Sequence, residues 1–208
     1  MNFTETDGDN WYDRNKNVVN RTNLVDKIMI ENIKRYVDDE TSIDILEIGC
    51  SDGSRLDQLN GRVNANLFGI DISSRAIDEG KCKFKDISLT CNNFLDESYE
   101  GQKFDVVICG FFLYYILKED LSRIVFKIDS ILKDNGHLIV TDFFSKGYME
   151  KKCTHRENLF MHKMDHSKLF LAYPNYAHIS RHTIADDVKS FDIKDLDGRL
   201  TVDVLQKI

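Results

Sequence analysis

The stretch that decides the fold is Glu47-Ile48-Gly49-Cys50-Ser51-Asp52-Gly53-Ser54, a glycine-bearing turn between an apolar run and a helical pattern. The apolar run at 43–48 predicts a buried strand, and a helix is expected to begin near Ser54. Gly49 allows a tight turn and close approach of a ligand, and Gly53 allows close packing at the N-terminus of the helix. A doubly wound sheet binds nucleotides at such a turn.

Apolar strand patterns alternate with helical patterns along the chain. Strands are predicted at residues 43–48, 66–72, 87–91, 104–109 and 137–143. Such alternation is typical of an α/β fold with a doubly wound, mostly parallel sheet. Near the end of the chain, alternating segments at 189–196 and 199–206 flank Asp197-Gly198, which predicts an antiparallel C-terminal hairpin.

Two helices are predicted with their ends. Residues 25–37 repeat apolar side chains at helical spacing, with Thr22 or Asn23 as the N-cap. A helix at 121–132 is expected to close with Asp134-Asn135-Gly136 as its C-cap and turn.

The remaining segments suggest a simple domain organisation. Residues 1–15 are polar and show no periodicity. We assign residues 1–40 to an N-terminal cap segment with one helix, and 41–208 to a ligand-binding domain. Residues 144–176 are predicted to form an insertion of loops and short helices on the substrate side.

The composition limits what the protein binds. The 208 residues carry a formal net charge of −7, which argues against binding nucleic-acid phosphates through clustered basic side chains. No apolar run approaches the ~20 residues of a membrane span. The acidic N-terminal stretch lacks the features of a signal peptide. We therefore expect a cytoplasmic protein with a small-molecule substrate, and the oligomeric state stays open.

The cysteines and acids do not predict a metal site. The five cysteines are odd in number and form no CxxC pair, so free thiols are expected. The fourth strand is followed by Cys109-Gly110-Phe111 rather than by an acid, and Asp142 on the fifth strand stands alone. No metal is predicted.

An acid ends the second predicted strand. Asp71 follows Leu67-Phe68-Gly69-Ile70, and it stands 18 residues after Gly53. A carboxylate at this place can accept hydrogen bonds from both hydroxyls of a ribose. Asp71 could instead cap the helix that starts at Ser74, and the two roles are compatible.

The acids near the turn distinguish two nucleotide ligands. A dinucleotide site leaves bare backbone facing a pyrophosphate. Here Glu47 and Asp52 would lie beside that pyrophosphate. Acids suit a ligand with an ammonium and a sulfonium, which S-adenosylmethionine has and NAD lacks.

Motifs in order carry a family resemblance over residues 43–143. The runs ILEIGCSDGS, LFGIDISSRAI, NNFLDE, KFDVVICGFFLYYI and ILKDNGHLIVTDFF resemble the successive motifs of class I S-adenosylmethionine-dependent methyltransferases. Ser51 stands where that family usually has its middle glycine. The resemblance implies a Rossmann-like, seven-stranded methyltransferase fold with S-adenosylmethionine as cofactor.

The same resemblance implies a set of cofactor contacts. Gly49, Cys50 and Ser51 would contact the methionine part, with Glu47 and Gly53 in the same turn. Asp71 would bind the ribose and Ile72 one face of the adenine. Asn93 and Phe94 would flank its other side, where the Asn93 carbonyl can accept the adenine amino group. Cys109 would face the methionine and the methyl group.

Aromatic residues follow the fourth strand, in Phe111-Phe112-Leu113-Tyr114-Tyr115. Their faces could hold a sulfonium by cation–π attraction. Tyr114 is a candidate substrate ligand. Tyr115 is a candidate catalytic residue, with core packing as the alternative for it.

A narrower resemblance comes from Trp11-Tyr12-Asp13-Arg14-Asn15 and from His155-Arg156-Glu157-Asn158-Leu159-Phe160, followed by Asp165. These runs resemble methylases associated with the biosynthesis of pseudaminic acid and other surface sugars. The resemblance implies that Arg14 binds the methionine carboxylate. It also implies that His155 acts as general base or orients the acceptor, and that Arg156 anchors a substrate carboxylate or phosphate. Solvated surface positions are the alternative for all three.

We therefore expect an S-adenosylmethionine-dependent methyltransferase acting on a small polar acceptor. The acceptor atom is predicted to be a hydroxyl of a sugar or related metabolite, ahead of an amine. The competing hypothesis is a cofactor-binding regulatory or partner protein without its own turnover.

Overall fold

Apolar runs and amphipathic stretches of this sequence form a seven-stranded sheet covered by helices in the computed structural model. The structure describes residues 3–19, 23–36, 40–153, 156, 159–185 and 199–208. Its helices are α1 (Glu5–Val19), α2 (Leu24–Tyr36), α3 (Ser54–Asp57), α4 (Ser74–Lys83), α5 (Leu121–Ile131) and α6 (Ser167–Leu171), with a 3-10 turn at Leu113–Tyr115. Its strands are β1 (Ile43–Ile48), β2 (Ala65–Asp71), β3 (Ile87–Cys91), β4 (Phe104–Gly110), β5 (Leu132–Phe144), β6 (Met149–Lys152), β7 (Phe160–Lys163), β8 (Tyr176–Ala185) and β9 (Arg199–Lys207).

The strand order of the main sheet is β3-β2-β1-β4-β5-β9-β8. Strands β1 to β5 pair in parallel, and β9 pairs antiparallel with both β5 and β8. The predicted doubly wound, mostly parallel sheet with an antiparallel C-terminal pair is confirmed. The order changes direction between β1 and β4, and ligands bind at the carboxyl ends of strands at such a point.

Both faces of the sheet are buried. Ile43 and Ile45 of β1 belong to one apolar cluster, which includes Met29 of α2. Leu46 and Ile48 belong to a second cluster, which includes residues of α5. Burial on both faces explains why β1 carries apolar residues on both faces, at four of its six positions, instead of alternating apolar and polar residues.

The C-terminal hairpin differs from the prediction in one strand. Strand β9 lies where residues 199–206 were predicted, but its two edges are occupied by β5 and β8. The antiparallel partner is therefore Tyr176–Ala185, and the assignment of 189–196 to that role is wrong. Residues 189–196 and the Asp197-Gly198 turn lie outside the described residues.

The helix ends agree with expectation at the start of α2 and depart from it at the end of α5. The Oδ1 of Asn23 accepts the N–H of Asp26 at 3.0 Å, so Asn23 caps α2, whereas Thr22 lies outside the described residues. Helix α5 ends at Ile131 instead of continuing to 132, and β5 begins at once. Within β5, Asn135 adopts the left-handed conformation, with φ +64°. It lies between Leu132 and His137, where the pairing of β5 with β4 shifts register.

The polar N-terminal segment is helical, as α1. Its pattern is weak because few of its side chains are buried, with Tyr12 at 1% exposure the main exception. The insertion at 144–176 contains α6 and also a two-stranded ribbon, β6–β7, that the polar sequence did not predict. None of the described helices is long and apolar enough to span a membrane.

Candidate functional site

A cavity of about 510 Å³ lies at the carboxyl ends of β1, β2, β3 and β4. The loops after these strands form its floor, and α1 supplies part of its wall. Among the residues predicted for the site, those that line the cavity are Gly49, Ser51, Asp71, Ile72, Asn93, Phe94 and Tyr115. Segments that are distant in sequence therefore meet at one place because parallel strands end at the same edge of the sheet.

The turn after β1 is shaped by three left-handed residues. Gly49, Ser51 and Gly53 have φ of +73°, +53° and +80°. Ser51 thus adopts the conformation that a glycine would adopt freely, at a cost on the order of 1–2 kcal/mol. Its hydroxyl is buried and has no hydrogen-bond partner among the described residues. Strain and an unpartnered hydroxyl at the same residue are features of a functional position.

Asp71 is tied to this turn. Its Oδ2 accepts the N–H of Ser51 at 2.8 Å, and its Oδ1 accepts the N–H of Ser73 at 2.8 Å. Burial raises the pKa of Asp71, while these backbone donors oppose the rise. Ser73, not Asp71, caps α4, because the Ser73 hydroxyl accepts the N–H of Ala76 at 3.1 Å. A carboxylate has about four acceptor sites, so Asp71 retains capacity for a ligand.

Asp52 is directed away from the cavity into the protein. It is fully buried and accepts hydrogen bonds from Ser54 Oγ at 2.6 Å, from Tyr12 Oη at 3.3 Å and from Lys83 Nζ at 3.1 Å. The carboxylate therefore fixes the start of α3 and joins it to α1 and α4. Asp52 therefore has a structural role, and it does not provide the negative charge that was expected beside the ligand.

Glu47 forms a buried charge network that the sequence did not predict. Its Oε1 accepts Arg55 Nη1 at 2.5 Å, and Arg55 Nε donates to Asp26 Oδ1 at 2.8 Å. Burial raises the pKa of Glu47 to about 7, and Arg55 opposes that rise. The Glu47 Oε2 atom is buried without a partner among the described residues. Gly110 makes room for the guanidinium, because a Cβ there would collide with Arg55.

Of this network, Arg55 and Asp26 line the cavity. Two carboxyl groups therefore surround one guanidinium, and one of them, that of Asp26, lines the cavity with it. The sequence carried only a partial signal for this network. Arg55 directly follows the turn, but Asp26 lies on a separate helix, α2, so nothing local linked the two residues.

The opposite end of the cavity is built by the loop after β3. The Asn93 Oδ1 accepts the N–H of Leu95 at 3.0 Å, and the Asn93 side chain is exposed. Phe94 is 4% exposed and packs edge-on against Phe112, with ring centroids 6.4 Å apart. Phe112 in turn lies over Gly49, where an added Cβ would approach it to 3.1 Å.

Helix α1 and Phe3, which precedes it, contribute residues to which the sequence assigned no role. Phe3, Gly8, Trp11, Tyr12 and Asn15 all line the cavity. A Cβ at Gly8 would lie 3.0 Å from Ile72 Cγ2, so the helix backbone approaches the end of β2 closely. Polar contacts hold α1 there, since the Ser73 hydroxyl donates to Asp9 at 2.7 Å and Arg75 pairs with Asp13.

The predicted acceptor residues are only partly brought together. Tyr115 lines the cavity, with its ring centroid 4.8 Å from that of Phe3. Tyr114 is buried behind it, and its N–H donates to Asp142 Oδ2 at 3.0 Å. Burial raises the pKa of both phenols, so they remain neutral near pH 7.

Other predicted residues lie off the cavity wall. Cys50 and Cys109 are buried, and burial raises the pKa of both thiols. Arg14 is exposed on α1. Arg156 forms an ion pair with Asp7, which links the insertion to α1. His155 lies outside the described residues.

Comparison with known proteins finds a matching domain and a distant relative. Residues 45–136 match the family model described as a methyltransferase domain. A curated relative, the uncharacterized protein RP028 of Rickettsia prowazekii (strain Madrid E), is 27% identical over 146 residues. That match covers 63% of this chain and 58% of the relative, so the chain spans less than two thirds of the relative's length.

Solved structures show the same fold. The 1,6-didemethyltoxoflavin-N1-methyltransferase of Burkholderia thailandensis, with bound 1,6-didemethyltoxoflavin and S-adenosylhomocysteine, has a TM-score of 0.74 at 10% identity and covers 98% of this chain and 86% of its own. A putative methyltransferase in complex with the Haloferax volcanii Trm112 activator has a TM-score of 0.72 at 16% identity, and the match covers 98% of this chain and 96% of that one.

The N-methyltransferase NodS of Bradyrhizobium japonicum WM9, in complex with S-adenosylhomocysteine, has a TM-score of 0.63 at 16% identity. This match covers 89% of this chain and 88% of that one.

The fold is thus the one found in S-adenosylmethionine-dependent methyltransferases. Within it, residues 45–136 of this chain match the methyltransferase-domain model.

Proposed function

We propose that this protein is an S-adenosylmethionine-dependent methyltransferase that acts on a small polar acceptor. The observation that carries the proposal is the cavity at the end of β1, where the left-handed turn at 49–53 and Asp71 meet. Its volume of about 510 Å³ lies in the range of small-molecule sites. The match to a methyltransferase domain and the neighbours crystallised with S-adenosylhomocysteine support the same ligand.

In this proposal the free acceptor sites of Asp71 bind the ribose hydroxyls. The adenine lies between Ile72 and Phe94, and the methionine part lies beside Gly49 and Ser51. All of these residues line the same cavity.

Arg55 takes the role that the sequence suggested for Arg14. Its Nε and Nη1 groups are held by Asp26 and Glu47, which leaves Nη2 as a donor for the methionine carboxylate. The Asp26 carboxylate, which lines the cavity beside Arg55, is an acceptor for the neighbouring ammonium. Arg14 is exposed and does not line the cavity, so it is the weaker candidate.

Methyl transfer mainly requires alignment of the acceptor, loss of its proton and exclusion of water. Phe3 and the α1 residue Trp11 cover part of the cavity, which supports the last of these needs. Tyr115 lies next to Phe3 and lines the same cavity, where it is available to contact an acceptor. The sugar-hydroxyl assignment stays a prediction, because it depends on His155.

Titration calorimetry with S-adenosylmethionine and S-adenosylhomocysteine tests the cofactor. Failure of folded protein to bind either compound would refute the proposal. Transfer of radiolabel from S-adenosylmethionine to small molecules of a cell extract tests turnover. Tight binding with no transfer to any extract would instead favour a binding protein without its own turnover.

A further inference from the structure

Four partly exposed aromatic side chains that line the cavity are here called the aromatic wall: Phe3, Trp11, Phe111 and Tyr115. Each is partly exposed, whereas other large aromatic residues nearby, such as Tyr12 and Tyr114, are buried. Phe111 adopts φ +57°, a costly conformation for a bulky residue, and so presents its ring at the end of β4. Apolar ring surface left open within a cavity gains free energy when a ligand covers it.

The aromatic wall is held rigid from behind. The Tyr114 and Tyr115 rings have centroids 4.0 Å apart, and Tyr114 meets Phe143 edge-on at 5.1 Å. Phe143 also contacts Phe111 at 5.6 Å. A preorganised set of flat faces favours a flat ligand, because rings on both partners can stack without further ordering.

The charges around the cavity disfavour an anionic acceptor. The ionisable residues that line its described part are four aspartates and two arginines: Asp26, Asp71, Asp96, Asp120, Arg55 and Arg123. Both arginines already pair with carboxylates, Arg55 with Glu47 and Asp26 and Arg123 with Asp120. Arg156, the predicted anchor for a phosphate, pairs with Asp7. A neutral acceptor avoids repulsion here.

Proton removal sets a further condition. No histidine, lysine or cysteine lies among the cavity-lining residues that the structure describes. Of the four aspartates, Asp26, Asp71 and Asp120 already accept hydrogen bonds from protein groups, and Asp96 is exposed. Tyr115 stays a neutral phenol, because burial raises its pKa. An alcohol must lose its proton as it attacks, but a neutral ring nitrogen or aryl amine already offers a lone pair.

We propose that the methyl acceptor is a nitrogen of a neutral, planar heteroaromatic compound that stacks on the aromatic wall. This rests on the proposed function and names its substrate class. The nitrogen lone pair forms the new bond to the methyl carbon, and the bond between that carbon and the sulfonium breaks. Its electron pair returns to sulfur, which gives neutral S-adenosylhomocysteine, and the methylated nitrogen is cationic until any N–H proton leaves to water.

Trp11 provides a direct test, because it is the only tryptophan of the chain and belongs to the aromatic wall. Protein saturated with S-adenosylhomocysteine is titrated with benzimidazole, indazole and quinoxaline, and with methyl glucoside and glucosamine as saturated comparators. We expect saturable change of Trp11 fluorescence with at least one of the planar compounds and none with the sugars. Benzimidazole should also gain one methyl group in the presence of S-adenosylmethionine, as measured by mass spectrometry.

Variants separate stacking from general damage. Phe111→Leu and Tyr115→Leu should each weaken binding of the planar compounds about fivefold, with affinity for S-adenosylhomocysteine changed less than twofold. Phe126→Leu is the matched control, since Phe126 is 66% exposed on α5 and off the cavity wall. If either Phe111→Leu or Tyr115→Leu fails to fold, the binding measured with the other variant tests the proposal.

The outcomes keep the two proposals apart. No binding of S-adenosylhomocysteine refutes the proposed function and, with it, the acceptor class. Binding of S-adenosylhomocysteine with no response to any planar compound overturns the acceptor class alone. Methylation of a sugar hydroxyl that His155→Gln abolishes would also overturn it.

Discussion

Replacing Asp71 by Asn tests the centre of the proposed cofactor site. The two carboxylate oxygens each accept one backbone N–H, from Ser51 and Ser73, both at 2.8 Å. In the Asn variant an NH₂ group replaces one oxygen and faces a donor, so one of these bonds is lost. The other loses its charge assistance.

The same change removes an acceptor from the ribose. Hydrogen bonds to charged groups contribute about 1.5–3 kcal/mol each, against about 1 kcal/mol for neutral ones. One ribose bond lost and one weakened therefore cost about 2–4 kcal/mol, which is about 30-fold to 1,000-fold in Kd. The free energy of unfolding should fall by about 1–3 kcal/mol as well, from the unpaired donor at Ser51 or Ser73.

Titration calorimetry with S-adenosylhomocysteine measures the first effect, and urea unfolding measures the second. Asp96→Asn is the matched control, because Asp96 lines the cavity but is exposed. Its Kd should change less than threefold. If Asp71→Asn binds S-adenosylhomocysteine within threefold of the unaltered protein, the ribose is bound elsewhere and the reasoning is refuted.

Three other predictions follow from the same region. Ser51→Gly should raise the free energy of unfolding by about 0.5–1 kcal/mol in urea, because relief of the φ +53° conformation exceeds the added chain entropy; a loss of stability would contradict this. Glu47 has a pKa of about 7 in the folded protein and an ordinary pKa of 4.5. Between these two pH values the folded state therefore binds more protons than the unfolded chain. The free energy of unfolding should therefore fall as pH rises from about 4.5 to 7, and an unchanged slope in Glu47→Gln would exclude Glu47 as its source. Arg156→Gln should speed proteolytic cleavage within α1 several-fold through loss of the Asp7 ion pair, with exposed Lys103→Gln as control; equal rates in the two variants would contradict this.

Much of the fold could be predicted because its signals are local. A strand buried on both faces carries apolar residues on both of them, as β1 does, and the turn that follows needs residues that accept positive φ. Asp71 could be picked out for the same reason, since the end of a parallel strand brings it to the turn after β1. The strand that pairs with β9 at the sheet edge could not be predicted. Strand pairing depends on which edge of the sheet is available in the folded protein, and the sequence of a single segment does not contain that information.

The sequence by itself determined the class of fold, the turn after β1 and the acid at the end of β2, because each depends on a short pattern of side chains. Only the tertiary structure decided that Arg55 joins Glu47 to Asp26 and that α1 forms a wall of the cavity. It also decided which of two adjacent tyrosines faces the cavity, with Tyr114 inside and Tyr115 on the wall. These are contacts between segments far apart along the chain, and their geometry is set by packing that no local pattern contains.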